Sequence, residues 1–296
     1  MKIGFIGLGI MGAPMAANII RKHGDKVYLA NRTVDKAKAL AAELASDPNA
    51  ALTAPEALSA NAELARLSDL IITMVPKTED VERVYGEILP EITPGKICID
   101  MSTIAPAASV AIAEKVIAKG GLFADAPVVK SKAAAIAGKL GIYVGSSEET
   151  FETIRPVLSY MGENIIRLGE NGSGLVMKLC HNALVSQIQN GVNETITVAK
   201  ASGIDVRTYA RAISYGGGQN AYLDNHVEPL QNDDFSTAFS LENAAKDVNL
   251  FLSLAEESGI PVPGEKNVAA VYDRSLAAGY AKEDWAATIK AVRDFS

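Results

Sequence analysis

The sequence predicts an α/β fold in which a doubly wound, mainly parallel sheet is followed by an all-helical domain. The chain has 296 residues, which suits two domains. Short apolar strands alternate with longer helical patterns in the first half, the arrangement of βαβ units. Strand patterns are scarce after Arg167, where helical spacing takes over. We therefore expect domains at 1–167 and 168–296.

The first domain carries four short apolar runs that read as buried strands. Helical patterns lie between them, one through Ala17 and Ile20 and one over Val34–Ala45. Segment 46–67 is less regular and is compatible with a weak strand and an extra helix. The predicted strands are 2–7, 26–30, 70–75 and 97–100.

A single long helix is predicted at the start of the second domain. Apolar residues recur at helical spacing from Leu175 to Val198. A helix from Gly174 to Ala201 would be about 40 Å long and would break at the pair Ser202-Gly203. We expect this helix to connect the two domains.

Composition excludes several classes of protein. The net charge is −7 and no cluster of Lys and Arg forms a basic stripe, which argues against a nucleic-acid partner. Cys98 and Cys180 are far apart and lack metal-ligand spacing, so we expect two buried free thiols, no metal and a reducing compartment. The uncharged stretch 3–20 is interrupted by glycines and Pro14, and no apolar run is long enough for a bilayer. These features predict a cytoplasmic protein without membrane association.

A glycine pattern directly follows the first predicted strand and opens the first helix. The residues are Gly7-Leu8-Gly9-Ile10-Met11-Gly12. In this position glycines allow a tight turn and let the backbone approach a pyrophosphate at the helix N-terminus. The pattern therefore predicts a dinucleotide-binding domain of the Rossmann type, the alternative being a turn that only packs well.

The end of the second strand indicates which dinucleotide is bound. An acidic residue there would bind the ribose 2′-hydroxyl of NAD, but the chain has Asn31-Arg32-Thr33. Arg32 can pair with a 2′-phosphate and Thr33 can donate another hydrogen bond. We predict NADP as the cofactor, with NAD at lower preference. In the alternative interpretation Arg32 stacks on the adenine or lies in solvent.

Taken together, these motifs resemble the β-hydroxyacid dehydrogenase family, which includes 3-hydroxyisobutyrate dehydrogenase and tartronate semialdehyde reductase. The resemblance extends over nearly the whole chain, with the motifs in the family's order. It rests on the glycine pattern with Ala13-Pro14-Met15, on Asp100-Met101-Ser102-Thr103, Asp125-Ala126-Pro127-Val128, Gly172-Ser173-Gly174 with Lys178 and Asn182, and on Lys246-Asp247.

By this resemblance Lys178 is the catalytic lysine. Hydride reduction of an aldehyde leaves an alkoxide that an ammonium can protonate, and the neutral amine serves the reverse reaction. Asn182 lies four residues on, so both side chains share a helix face and can bind one substrate. Without the family pattern, Lys178 in its apolar run could equally extend to solvent. His181 is expected to point away from that face.

The resemblance implies further contacts to substrate and cofactor. Ser102 would contact substrate or nicotinamide, although Ser102 and Thr103 could instead cap the next helix. Lys246 would close over the cofactor from the helical domain, with Asp247 orienting it or the backbone. The remaining implied cofactor contacts are Met74, Val75, Pro76 and Thr103, beside Gly7, Gly9, Ile10, Met11, Gly12, Asn31, Arg32 and Thr33.

The chain departs from the family after Val128. Relatives have a Ser-Gly-Gly turn that holds the substrate carboxylate, whereas this chain has Lys130-Ser131-Lys132. Assuming an extended turn, only one of the two lysines would face the pocket. The pattern resembles sulfolactaldehyde reductases and suggests a substrate whose far end is a sulfonate, a phosphonate or a second carboxylate. In the alternative both lysines lie on the rim and raise the local potential for any acid.

We therefore expect an NADP(H)-linked dehydrogenase that interconverts a small anionic β-hydroxy acid and its semialdehyde, with the substrate at the junction of the domains. An imine reductase shares this architecture but usually lacks the lysine. A non-catalytic NADP-binding regulator would be expected to lose Lys178 or Ser102. The resemblance also implies a homodimer or homotetramer.

Overall fold

A computed structural model describes residues 1–47, 50 and 53–293. The chain divides into two compact units, Met1–Lys178 and Leu179–Ser296. Part of the irregular segment 46–67 lies outside the described residues, but a short strand and a helix are present in its second half, as listed below.

The described residues of the first unit form a nine-stranded sheet. The strands are β1 Ile3–Ile6, β2 Val27–Ala30, β3 Glu56–Leu58, β4 Leu70–Thr73, β5 Ile97–Asp100, β6 Leu122–Asp125, β7 Val128–Val129, β8 Leu140–Gly145 and β9 Gly162–Gly169. Their order in the sheet is β3-β2-β1-β4-β5-β6-β8-β7, and β9 pairs with β8. Strands β1 to β6 pair in parallel, while β8 runs antiparallel to β6 and β7.

Helices connect these strands and cover both faces of the sheet. Alternate residues of one strand belong to different apolar clusters: Leu70 and Ile72 pack in one, and Ile71 in the other. The strands are buried on both faces for this reason, as in doubly wound folds. The helices are α1 Gly12–Lys22, α2 Val34–Ala45, α3 Asn61–Leu67, α4 Thr78–Ile88, α5 Pro106–Ile117, α6 Lys132–Ala137 and α7 Glu148–Leu158, with a 3₁₀ turn at Leu89–Glu91.

The long helix α8 spans Ser173–Ala201, so it begins in the first unit and continues in the second. It ends before Ser202-Gly203 as predicted, and Gly203 has a φ of +86° that favours glycine. The described part of the second unit is otherwise helical around two apolar clusters. Its helices are α9 Val206–Ile213, α10 Ala221–Asn232, α11 Leu241–Glu257, α12 Pro263–Ala277 and α13 Thr288–Arg293, with a 3₁₀ turn at Trp285–Ala287.

The predicted fold class is confirmed: a parallel α/β sheet precedes an all-helical part that contains a long helix. Strands β6 to β9 were not predicted, among them the antiparallel strands β7 and β8, whose short runs lack a distinctive periodicity. The strand predicted over 70–75 ends at Thr73. Cys98 is buried as predicted, but Cys180 on α8 is exposed. Within the residues that the structure describes, no helix combines the length and apolarity required to cross a membrane.

Candidate functional site

Strand register in the first unit brings several sequence motifs to one edge of the sheet. Ile6 pairs with Thr73, Thr73 with Asp100, and Asp100 with Asp125. Each is the last residue of its strand, so the segments that follow leave the sheet side by side. Ligands of open α/β sheets bind at this carboxyl edge.

The glycine turn between β1 and α1 requires glycine at two positions. Gly7 has a φ of +101°, and a Cβ there would lie 2.2 Å from the Met74 carbonyl oxygen. A Cβ on Gly12 would lie 2.0 Å from the Gly7 carbonyl oxygen. At Gly9, by contrast, no heavy atom of the described chain lies within 4 Å of that position. Close packing therefore requires glycine at positions 7 and 12. At position 9 the absence of a side chain leaves the backbone accessible.

The start of α1 is suited to an anion. Met11 at the N-cap makes no side-chain capping bond, and the first turn contains no acidic residue. The N–H groups of a helix start have no partners within the helix and attract phosphate. Ile10 is exposed beside this turn and Met11 is half-buried. The glycine turn and the start of α1 therefore fit the pyrophosphate of a nicotinamide dinucleotide.

Asn31, expected to contact the cofactor, also ties the glycine turn to the end of β2. Its side-chain oxygen accepts a hydrogen bond from Leu8 N at 2.9 Å, and its amide nitrogen donates to Thr33 O at 3.0 Å. An aspartate could keep the first bond but could not donate the second. The neighbouring Arg32 and Thr33 are exposed.

Ser102 belongs to a buried hydrogen-bond network at the ends of β4 and β5. Its hydroxyl donates to Asp100 Oδ1 at 2.7 Å and accepts from Val75 N at 2.9 Å. Thr73 Oγ1 donates to the same Asp100 oxygen at 2.6 Å. Only 1% of Ser102 is exposed. The Ser102 oxygen can therefore accept one further hydrogen bond, while its hydrogen is already committed.

The alternative in which Ser102 or Thr103 caps the next helix is wrong. Helix α5 begins at Pro106, and Ala105 occupies the N-cap. The Ala105 N–H donates a hydrogen bond to the hydroxyl oxygen of Thr78, at 3.3 Å. Of the other expected cofactor contacts, Met74, Val75 and Thr103 are half-buried and Pro76 is exposed.

Asp125, at the end of β6, accepts hydrogen bonds from the start of α8. Its Oδ1 lies 2.6 Å from Gly172 N and its Oδ2 lies 2.9 Å from Leu175 N. Gly172 has a φ of +94°. Burial raises the pKa of Asp125 to about 6, against the lowering effect of these N–H groups. The sequence motifs around Asp125 and Gly172 do not by themselves predict this contact, because they lie 47 residues apart.

Lys178 and Asn182 lie one turn apart on α8, and both are half-buried. In the second unit, Asn182 Nδ2 donates to Asp247 Oδ2 at 2.7 Å. Asp247 also pairs with Lys246, with 3.0 Å between Nζ and Oδ1. The two oxygens of the Asp247 carboxylate therefore contact Lys246 and Asn182. His181 is half-buried.

The predicted extended turn at 130–132 is wrong. Lys130 has a left-handed φ of +83°, and Lys132 is the first residue of α6, with Ser131 at its N-cap. Alternation of side chains therefore does not apply to these residues. All three are exposed, and Lys130 Nζ pairs with Glu163 Oε1 at 3.0 Å.

Two family models match the chain. The NAD-binding domain of 6-phosphogluconate dehydrogenase matches residues 2–169. The model described as NAD-binding of NADP-dependent 3-hydroxyisobutyrate dehydrogenase matches residues 172–292. The chain belongs to the 3-hydroxyisobutyrate dehydrogenase, or β-hydroxyacid dehydrogenase, family. It is therefore an NAD(P)-dependent oxidoreductase that acts on CH–OH groups.

Relatives within this family match the chain from end to end. 2-(Hydroxymethyl)glutarate dehydrogenase of Eubacterium barkeri is 32% identical over 98% of this chain and 94% of its own. 2-Hydroxy-3-oxopropionate reductase of Escherichia coli is 31% identical over 99% and 97%. The structure of 3-hydroxyisobutyrate dehydrogenase from Mycobacterium tuberculosis with L-serine superposes with a TM-score of 0.86 at 29% identity, covering 99% of both chains.

Proposed function

We propose that this family member uses NADP(H) to interconvert a small anionic β-hydroxy acid and its semialdehyde, with Lys178 as general acid and base. The observation that carries the proposal is the direct register of Ile6, Thr73, Asp100 and Asp125. It aligns the glycine turn, the Ser102 network and the anchored start of the helix that bears Lys178. These are the parts that a hydride transfer with proton transfer needs.

The cofactor proposal rests on the glycine turn and the residues after β2. The accessible backbone at Gly9 and the uncapped start of α1 would hold the pyrophosphate. Arg32 and Thr33, both exposed beside that turn, would hold the 2′-phosphate. When bound, the nicotinamide ring supplies or accepts the hydride. Lys246, already paired with Asp247, is proposed as a further cofactor contact.

Lys178 would move the proton that accompanies the hydride. In the reducing direction its ammonium protonates the alkoxide oxygen, and in the oxidising direction its amine removes the hydroxyl proton. Asn182, one turn further along α8, would hold the substrate through its amide, whose orientation Asp247 fixes. Ser102 would contact a ligand only as an acceptor, because its hydrogen is bonded to Asp100.

For the substrate we propose a sulfonate, a phosphonate or a second carboxylate at the end far from the aldehyde, with sulfolactaldehyde as the leading candidate. Lys132 is the better candidate to bind it, because the Lys130 ammonium lies 3.0 Å from the Glu163 carboxylate. A homodimer or homotetramer remains the proposed assembly.

A spectrophotometric screen would test the function. Small β-hydroxy acids and semialdehydes, including sulfolactaldehyde and tartronate semialdehyde, would be assayed with both nicotinamide cofactors, beside uncharged aldehydes of similar size. We expect turnover of the anionic compounds and a higher kcat/KM with NADP(H). Failure to turn over any of them, by protein that still binds NADPH, would contradict the proposal.

A further inference from the structure

The first turn of α8 is fastened to the sheet by a single buried carboxyl group. Asp125 is fully buried, and its two oxygens accept hydrogen bonds from the N–H groups of Gly172 and Leu175. Helix starts leave such N–H groups without partners inside the helix. The side chain of Asp125, at the end of β6, therefore caps the start of α8, although Asp125 and Gly172 are 47 residues apart in sequence.

Two glycines make room for this contact. A Cβ on Gly145 of β8 would lie 2.5 Å from Asp125 Oδ1. A Cβ on Gly174 of α8 would lie 2.8 Å from Asp125 Oδ2 and 2.6 Å from the Tyr143 carbonyl oxygen. Strand β8 and the start of α8 can both approach the Asp125 carboxyl group this closely because Gly145 and Gly174 have no side chains. The helix cannot slide here without breaking close contacts.

Asn171 forms a second anchor at the same turn. Its amide nitrogen donates to the carbonyl oxygens of Phe123, at 3.0 Å, and Gly145, at 3.1 Å. These oxygens belong to β6, which ends at Asp125, and to β8, which pairs with it. The position of the helix start is thus set from both strands.

We propose that Asp125 is a positioning residue for Lys178: by binding the first turn of α8 it sets the axial position and rotation of the lysine relative to the sheet edge. Lys178 follows Leu175 by three residues, less than one helical turn, so a shift at Leu175 N is passed on to it. Misplacement of a reacting group by about 1 Å can cost about 100-fold in rate. The inference rests on the catalytic role proposed above for Lys178.

The charge state of Asp125 suits this role. Burial raises its pKa to about 6, so at pH 7.5 the group is mainly a carboxylate, which accepts at both oxygens. In an Asp125→Asn variant one position becomes an amide nitrogen, a donor, facing a backbone N–H. At most one of the two bonds to α8 can then form.

The test is a single-turnover measurement with enzyme and NADPH in excess over the aldehyde, using the faster of sulfolactaldehyde and tartronate semialdehyde. The rate constant of nicotinamide oxidation reports the geometry of the reacting groups, whereas the amplitude reports the folded, active fraction. We expect Asp125→Asn to lower the rate constant about tenfold or more. The affinity for NADPH should be unchanged.

The matched control is Asp284→Asn. Asp284 is also a buried carboxylate that accepts three backbone N–H groups, those of Ala238, Phe239 and Ala286. We expect this variant to lower the melting temperature but to keep the rate constant. Asn171→Ala, a milder change in the turn that Asp125 binds, should lower the rate constant by a smaller factor. If Asp125→Asn does not fold, this variant tests the inference in its place.

An unchanged rate constant in Asp125→Asn, or in Asn171→Ala where the former does not fold, would overturn the inference even if the melting temperature falls. An equal loss of rate constant in Asp284→Asn would also overturn it. Lys178→Met is measured in the same assay. If that variant reacts at the wild-type rate, the proposed function fails, and this result is distinguishable from a failure of the inference about Asp125.

Discussion

The hydroxyl hydrogen of Ser102 is committed to Asp100, with 2.7 Å between Ser102 Oγ and Asp100 Oδ1. The same hydroxyl oxygen accepts the Val75 N–H, so one side chain connects the segments after β4 and β5. Thr73 donates to the same oxygen of Asp100 from the neighbouring strand. This network forms part of the sheet edge at which the cofactor is proposed to bind.

Replacing Ser102 by alanine should destabilise the protein by about 1–3 kcal/mol, because the Val75 N–H, in a half-buried residue, loses its acceptor and the buried Asp100 carboxylate loses a donor. The free energy of unfolding from urea denaturation measures this. Ser109→Ala is the control: Ser109 is fully buried, but its hydroxyl has no hydrogen-bond partner among the described residues. Equal effects of the two substitutions would show that the Ser102 bonds contribute nothing.

Arg32→Ala should reduce the preference for NADP over NAD by about 1.5–3 kcal/mol, or roughly ten- to a hundredfold in the ratio of kcat/KM values, because a charge-assisted phosphate contact is lost. Arg155→Ala, another exposed arginine of the first unit, should leave the ratio unchanged. Steady-state kinetics with both cofactors measure it. A variant that retains the wild-type preference would refute the role of Arg32.

Asn31→Asp tests the same site from the opposite direction. A carboxylate can still accept the Leu8 N–H, so the glycine turn should keep its shape. Its negative charge would repel a 2′-phosphate and suit a ribose 2′-hydroxyl. We expect kcat/KM to fall with NADP and to rise with NAD, and a uniform loss with both cofactors would contradict this interpretation.

Lys178→Met should lower kcat by about 10²–10⁴-fold, the usual contribution of general acid–base catalysis. NADPH affinity, followed by fluorescence titration, should be nearly unchanged. Lys200→Met, an exposed lysine near the other end of α8, provides the control and should keep full activity. If Lys178→Met retains more than about a tenth of the wild-type kcat, the lysine is not the proton donor.

Lys132→Ala should lower kcat/KM for an anionic aldehyde by about tenfold, a loss of roughly 1.4 kcal/mol, and should leave an uncharged aldehyde of similar size unaffected. Lys130→Ala is the matched comparison and should have a smaller effect, because its ammonium is paired with Glu163. Equal losses on charged and uncharged substrates, or none in either variant, would place the anion site elsewhere.

Asp125 should make stability depend on pH. Its pKa is raised from 3.8 to about 6 in the folded protein, so folding takes up a proton between these values. The group therefore contributes stability that is fully present below pH 3.8 and is lost as the pH rises through 6. The full difference is on the order of 3 kcal/mol.

Urea denaturation of wild type and Asp125→Asn at several pH values between 4 and 7.5 measures this contribution. The free energy of unfolding of the wild type, relative to the variant, should decrease as the pH rises. Taking the difference removes the other titrating groups that the two proteins share. A difference that is independent of pH, or one that increases, would show that Asp125 does not have a raised pKa.

Local sequence patterns were sufficient to predict the elements that depend on adjacent or periodic residues. The glycine turn between a buried strand and α1 was predicted because it uses adjacent residues. Helix α8 was predicted from Gly174 to Ala201 and spans Ser173–Ala201, because a long run of 3.6-residue periodicity is unambiguous. Chain length and the change from alternating to helical patterns were enough to predict the fold class.

The site required contacts that sequence patterns do not encode. The turn at Lys130 was predicted as extended, yet this residue has a φ of +83° and pairs with Glu163, which lies on another strand. Such a backbone conformation is unusual for a lysine and has no sequence signal. The motifs around Asp125 and Gly172 were both noticed, but their hydrogen bond was not.

The sequence by itself determined that a strand, a glycine turn and a helix open this protein, that a helical region follows, and which motifs carry polar chemistry. Tertiary structure alone decided that Ser102 is an acceptor held by Asp100 and Val75, and that Asp125 fastens the start of α8. The physical reason is the separation in sequence of the interacting residues. Periodicity and turn propensity arise from neighbouring residues, whereas a buried carboxylate forms its hydrogen bonds only when the strands have paired in register.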